Sequence, residues 1–249
     1  MSLAPHASLA ENAAAAPRPR RSPAHALDVF YRALHSSLGP QRWWPARTRF
    51  EVIVGAILTQ NTTWTNVERA IALLRSERLL NAPAITRVPL RRLERLVRPS
   101  GYFRQKARKL KAFVAFLNAE FGGSLDRMFR LPTAELREKL LAVHGIGPET
   151  ADSILLYAGN YPSFVIDAYT RRVLDRHGLL DARAGYEAAQ TLFHRHLPLE
   201  ATLFNQYHAL LVETGKRWCR PREARCHECP LGRFLPTPVA QPKPPELPR

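Results

Sequence analysis

Leu141-Ala142-Val143-His144-Gly145-Ile146-Gly147-Pro148-Glu149-Thr150-Ala151 joins two helical runs through a pair of glycines. Glycine permits positive φ and lets a second backbone or a ligand come close. Pro148 suits the first position of a new helix, where no N–H is required. The N–H groups of such a hairpin and of the helix it opens point outward together, which makes an anion site. Gly145, Ile146, Gly147 and Thr150 are the candidates for that contact. From spacing alone, a plain glycine turn between two core helices stays open as the alternative.

The helical pattern extends outward in both directions. Upstream, Leu27, Phe30, Tyr31 and Leu34 mark a first helix, Phe50, Ile53, Val54, Ile57 and Leu58 a second, and Val67, Ala70, Ile71 and Leu74 a third. Leu90, Leu93 and Leu96 give a short fourth. A long fifth, from about Arg104 to Phe121, sets Ala107, Leu110, Val114 and Leu117 on one face. Its other face carries Lys106, Lys109 and Lys111, expected to be mostly solvated. Leu136, Leu140 and Leu141 lead into the hairpin, and Ala151, Ile154 and Leu155 lead out of it. Further helices are expected over 168–177, 185–195 and 199–214. The best alternating stretch, Phe164-Val165-Ile166, is too short to found a sheet. The spacing therefore predicts an all-α class, with no internal repeat.

The 249 residues include 45% apolar ones, enough for a substantial core. Lys plus Arg number 37 against 21 Asp plus Glu, a formal charge of +16. Such an excess favours a polyanionic partner, since each neutralised phosphate releases a counterion. A merely solvated basic surface is the alternative. The N-terminal stretch is rich in Ala and Pro, and Arg18, Arg20 and Arg21 follow its apolar part, so it does not read as a signal peptide. No apolar run is long enough to span a bilayer, so no membrane role is expected. Three cysteines near the C-terminus do not make a disulfide framework and fit a reducing cytoplasm.

The segment His144–Ala151, followed by Val165-Ile166-Asp167, resembles the hairpin and aspartate of the endonuclease III superfamily of helix–hairpin–helix DNA glycosylases. Asp167 lies eighteen positions beyond Glu149, the spacing of the family motif. Leu58-Thr59-Gln60-Asn61-Thr62 resembles the family's strand-separating segment, and Cys219, Cys226 and Cys229 resemble its iron–sulfur loop. HGIGPETADSILLYA with VIDAY is most similar to the 3-methyladenine glycosylase branch. The resemblance covers roughly residues 27–231. It implies a six-helix barrel over 48–163 holding the hairpin, and a second lobe from 25–47 and 164–231 that ends in the cysteine loop. A disordered basic tail (1–24) and a Pro-rich tail (232–249) would flank them. The implied partner is double-stranded DNA with a damaged base flipped out of the stack, met by a monomer on the nucleoid in the cytoplasm.

The resemblance also implies roles for individual residues. Asp167 would be the catalytic carboxylate, stabilising positive charge on the sugar as the glycosidic bond breaks. By residue type alone it would be a helix N-cap. Glu149 stands where bifunctional members carry a lysine, and a carboxylate cannot form their Schiff base. A monofunctional enzyme that uses water is therefore expected, with Lys106 and Lys139 as sources of any weak strand nicking. Trp43, Trp44 and Trp64 correspond to an aromatic base pocket, suited to cationic alkylated purines. Gln60 is the expected wedge into the vacated stack, assisted by Asn61.

Cys219-x6-Cys226-x2-Cys229 matches three ligands of a [4Fe–4S] loop, with Leu235 where the fourth would fall. Three outcomes stay open: a three-cysteine cluster with an outside ligand, a zinc site using His227 or His208, and a loop without metal. Arg220, Arg222 and Arg225 would reach phosphates in each case. The alternative functions are an endonuclease III-like glycosylase/lyase on oxidised pyrimidines and a noncatalytic DNA-binding module.

Overall fold

A computed structural model describes residues 22–236 apart from Arg42 and Ala182. The expected tails therefore lie largely outside the described residues. Where they are described they hold helical turns: α1 (Pro23–Leu38) begins at Pro23, and a 3-10 turn spans Gly232–Phe234.

Two apolar cores organise the molecule. The first is enclosed by α2 (Arg49–Leu58), α3 (Trp64–Ser76), α4 (Ala82–Arg87), α5 (Leu90–Leu96), α6 (Phe103–Phe121), α7 (Leu125–Met128), α8 (Thr133–Leu141) and α9 (Pro148–Ser153). Helix α2 is buried on all sides, Phe50 through Leu58, which marks it as the central element. The second core joins α1 to α10 (Ala168–Arg176), α11 (Tyr186–His196) and α12 (Ala201–Arg217). The two meet along Ile154–Ala158, where α9 continues as a π-helical turn. Leu155 enters the first core, Leu156 the second, and Tyr157 packs against both. The wider turn distributes consecutive side chains to opposite lobes, and such turns are frequent at functional sites.

Among the described residues no strand forms. The Phe164–Ile166 stretch is extended, but side chains of α11 satisfy its backbone instead of a neighbouring strand. Phe164 N–H donates to His194 Nε2 (3.0 Å), Gln190 Nε2 donates to the Phe164 carbonyl (2.8 Å), and Ile166 N–H donates to the Tyr186 hydroxyl (3.3 Å). Phe164 stacks on Phe193 at 3.6 Å. A further clamp ties the lobes. Arg137 of α8 donates to both oxygens of the fully buried Asp152 on α9 (2.8 and 3.1 Å) and to Glu187 of α11 (2.8 Å). Ser163 donates to Asp152 as well (2.6 Å). The peptide leading into Asp167 is thus held from both sides.

The basic face expected on α6 is engaged rather than solvated. Lys106 is buried and donates to the Ser100 carbonyl (2.5 Å) at the end of a 3-10 turn. Burial, with the charge of Lys109, lowers its pKa to about 8. Lys111 donates to the carbonyls of Thr86 and Val88 (2.8 and 2.6 Å), capping the end of α4. Lys109 lies against the hairpin. No helix among the described residues is long and apolar enough to cross a membrane.

Candidate active site

Asp167 is the N-cap of α10. Its Oδ1 accepts the Thr170 N–H at 2.7 Å, which fixes the side chain and leaves Oδ2 for other work. Oδ2 faces the Nε2 of buried His208 on α12 at 3.5 Å, a contact longer than a good hydrogen bond. The Nδ1 of His208 meets the Tyr157 hydroxyl at 2.5 Å. Burial, and the negative charge of Asp167, hold the Tyr157 pKa well above its ordinary value, so the phenol keeps its proton. Burial alone would push the Asp167 carboxyl up. The His208 contact and the Thr170 N–H outweigh it and hold the carboxyl below the usual range.

Glu149 opens α9 beyond the hairpin and interacts electrostatically with Asp167. By surface area the residue as a whole is exposed. Its pKa is nonetheless raised to about 7 by desolvation and by the Asp167 charge, with His208 pulling the other way. The two carboxyl groups are thus shifted in opposite directions, Asp167 down and Glu149 up.

The hairpin closes with Ile146 N–H donating to the Val143 carbonyl (3.0 Å). Its two glycines serve different ends. Gly145 has φ +83°, and a Cβ there would overlap the stem of Lys109. Gly147 is extended at φ −95°, ψ 179°, a conformation any residue adopts, and a Cβ there would meet nothing within 4 Å. Nothing within the described protein therefore requires glycine at 147. Gln60, the expected wedge, is occupied in this state. Its amide donates to the Gly145 carbonyl (3.0 Å) and the Thr150 hydroxyl (2.9 Å), and its Oε1 accepts from Lys109 (2.5 Å). Gln60 thus braces α2 on the hairpin. Neighbouring Asn61 is exposed, with φ +52°.

The tryptophans adjoin the same region. Trp44 (φ +63°) stacks on Tyr157 with centroids 4.9 Å apart and meets Trp64 edge-on at 5.3 Å. Gly55 admits this approach, since a Cβ there would sit 3.2 Å from the indole. Trp44 and Tyr157 touch face to face, so a base does not fit between them. Trp43 meets His208 edge-on at 6.2 Å, and Lys216 Nζ lies 5.2 Å above its ring. The indole N–H of Trp44 is buried without a hydrogen-bond partner, and that of Trp43 is buried where it acts on the Tyr157 hydroxyl. Trp64 instead donates to Glu68 (2.8 Å).

A profile of the HhH-GPD superfamily base excision DNA repair proteins matches residues 54–198, which include the hairpin, Glu149 and Asp167. The chain belongs to this superfamily. Among relatives of this HhH-GPD protein, MJ1434 of Methanocaldococcus jannaschii, described as a candidate DNA repair glycosylase, is 45% identical over 206 residues, 82% of this chain and 93% of that protein. The Helicobacter pylori 3-methyladenine DNA glycosylase MagIII, solved with 1,N6-ethenoadenine, is 28% identical, with a TM-score of 0.68 over 79% of this chain and 98% of its own. A trapped endonuclease III–DNA covalent intermediate shares the fold at a TM-score of 0.74 and 20% identity, over 85% of this chain and 95% of that one.

In this HhH-GPD chain, Tyr157 is a site residue for which the sequence suggested no role, and His208, a zinc candidate in the sequence, stands instead beside Asp167. The signal for His208 was a polar ring within the apolar run Tyr207–Val212 of α12, where a buried imidazole needs a partner. Tyr157 gave no signal. The lysines weighed for strand nicking are otherwise engaged: Lys106 is buried, and Lys139 pairs with Glu120 (3.0 Å). His208, weighed as a zinc ligand, faces Asp167 instead. His227 is exposed beside Glu228 (3.2 Å). Cys219, Cys226 and Cys229 line one cavity together with Leu235 and His177, and neither zinc candidate lines it. Among the described residues no three His, Cys, Asp or Glu side chains converge on a point that would hold a single metal ion.

Proposed function

We propose that this protein is a monofunctional DNA glycosylase that hydrolyses the N-glycosidic bond of alkylated purines in double-stranded DNA. The observation that carries the reading is positional: Asp167 caps α10 through Oδ1 with Oδ2 left facing His208, and Glu149 opens α9 at the position a lysine would need to occupy for lyase chemistry. Branch membership is supported by the similarity to MagIII, a 3-methyladenine glycosylase.

The reaction follows from these groups. A cationic alkylated purine needs no proton to leave, because it departs neutral with the bond's electron pair. The sugar then carries the positive charge, which the Asp167 carboxylate stabilises in a site poor in water. Ionised Glu149 takes a proton from the attacking water as its oxygen bonds to the sugar carbon, leaving an abasic site. His208, held by Tyr157, keeps Oδ2 of Asp167 oriented. Trp43 and Trp44 supply aromatic surface for the base, and attraction of the cation to a ring contributes about 0.5–2 kcal/mol per contact. Cys219, Cys226 and Cys229 would hold an iron–sulfur cluster as a structural brace, with Arg220, Arg222 and Arg225 on the loop facing phosphates.

The hairpin is read as the phosphate seat. Gly147 is a residue that only an approaching ligand would require. Gly147→Ala is expected to change stability by less than about 0.5 kcal/mol and to weaken duplex binding about tenfold, the loss of roughly one charge-assisted hydrogen bond. Thermal unfolding and fluorescence anisotropy would check both.

The substrate reading is tested with duplexes carrying 3-methyladenine, thymine glycol or uracil, scored by free base released. Release of 3-methyladenine well above the other two is expected. Preferential release of thymine glycol would replace this reading with the oxidised-pyrimidine one. Binding without release of any base would support a noncatalytic module.

A further inference from the structure

The cysteine loop departs from a four-thiolate pattern, and the structure bears on what replaces the missing thiolate. Cys219 follows α12, and its N–H donates to the Thr214 carbonyl (2.9 Å). Arg172 donates to the Cys219 carbonyl (2.6 Å), and Arg176 donates to Cys219 Sγ (3.2 Å) and the Pro221 carbonyl (3.1 Å). Two arginines of α10 therefore fasten the loop, and one sets its positive charge on a sulfur. Gly232 is packed on the Cys226 carbonyl so closely that no Cβ could be accommodated. The loop is a built element, with the three cysteines facing a common space.

The chemistry of that space is specific. Zinc draws each sulfur to about 2.3 Å and gathers all its ligands around one point. These side chains do not converge in that way. A cubane binds each ligand to a different iron, so its ligands line a shared cavity and need not meet at one point, and the three cysteines here line one cavity. The fourth wall holds Leu235, which cannot ligate, and His177, which can. His177 closes the C-terminal end of α10 and packs edge-on against Phe30 at 4.7 Å. Its Nδ1 is buried and makes no hydrogen bond of good geometry, and the backbone of Phe234 is the polar group that acts on the ring. A buried imidazole nitrogen without a good hydrogen bond carries a desolvation cost that a ligand would remove.

We propose that His177 supplies the fourth ligand of a [4Fe–4S] cluster whose other ligands are Cys219, Cys226 and Cys229. Histidine in place of a thiolate makes the assembly less negative by one charge and raises its reduction potential. Arg176 donates to Cys219 Sγ and so orients that ligand. The site also fastens the loop to α10, the helix that Asp167 opens.

The test uses the full chain, purified and reconstituted anaerobically with iron and sulfide. The wild type is expected to bind about four irons per chain and to absorb near 400 nm. Pulsed electron paramagnetic resonance of the reduced cluster should show coupling to a histidine nitrogen. His177→Cys should keep the iron and lose that coupling. His177→Ala should fall to about three irons, and Leu235→Cys added to His177→Ala should restore the fourth. A wild type without iron would overturn the proposal, as would a cluster lacking nitrogen coupling or full iron retention in His177→Ala. The spectroscopy is done on the wild type, so the outcome stands even where a variant folds poorly. None of these readouts depends on base release, so they are independent of the proposed glycosylase activity.

Discussion

Asp167→Asn is expected to lower the single-turnover rate of base release by about three orders of magnitude, with little change in stability or in affinity for the duplex. The two halves of this result come from the two oxygens of one side chain. Oδ1 caps α10 through the Thr170 N–H, and asparagine caps about as well as aspartate. Oδ2, which faces His208, carries the charge that the sugar cation requires. Replacement by an amide removes that charge and keeps the shape. A purely structural Asp167 would give the opposite pattern, with near-normal rate. Stopped-time assays beside a thermal melt distinguish the two. His208→Gln is expected to give a smaller loss, because it acts only by holding Asp167.

Glu149→Gln is expected to slow release about a hundredfold and to change the shape of the pH profile. In the wild type, the Glu149 carboxyl is raised to about 7 by desolvation and by Asp167, against the pull of His208. Below that pH it is protonated and cannot accept a proton from water; above it, it is ionised and can. The rate should therefore rise through about pH 7 and level off. Glutamine cannot titrate, so the variant should be slow and show no rise in that range. Asp167 is ionised throughout, because its carboxyl is held below the usual range. A variant that retains the rise would place the titrating base elsewhere.

The helical architecture was legible because periodicity survives wherever a helix buries one face. The hairpin between α8 and α9 and the cap at Asp167 were expected from residue type, and the catalytic reading of Asp167 came only from the resemblance. What escaped the sequence depends on contacts between distant segments. Lys106 reads as a surface residue until the Ser100 carbonyl, six positions earlier, is seen to bury and bond its amine. Gln60 reads as free until Gly145, Thr150 and Lys109 engage both ends of its amide. The π turn at Ile154–Ala158 sends Tyr157 toward His208, fifty-one positions away, and no local pattern announces that turn. The dual nature of Asp167 was visible in outline, since cap and catalytic residue were both written into one position. The structure shows the cap outright and leaves the second oxygen turned to a histidine.

The central claim is that this chain breaks the glycosidic bond with water and not with an amine. The most direct measurement is the fate of the strand in a labelled 3-methyladenine duplex treated with the wild-type enzyme. Samples are analysed with and without alkali, and with borohydride present during turnover. The account predicts an intact abasic strand that breaks only on alkali treatment, and no covalent protein–DNA adduct. Strand breakage without alkali, together with a borohydride-trapped adduct, would contradict it.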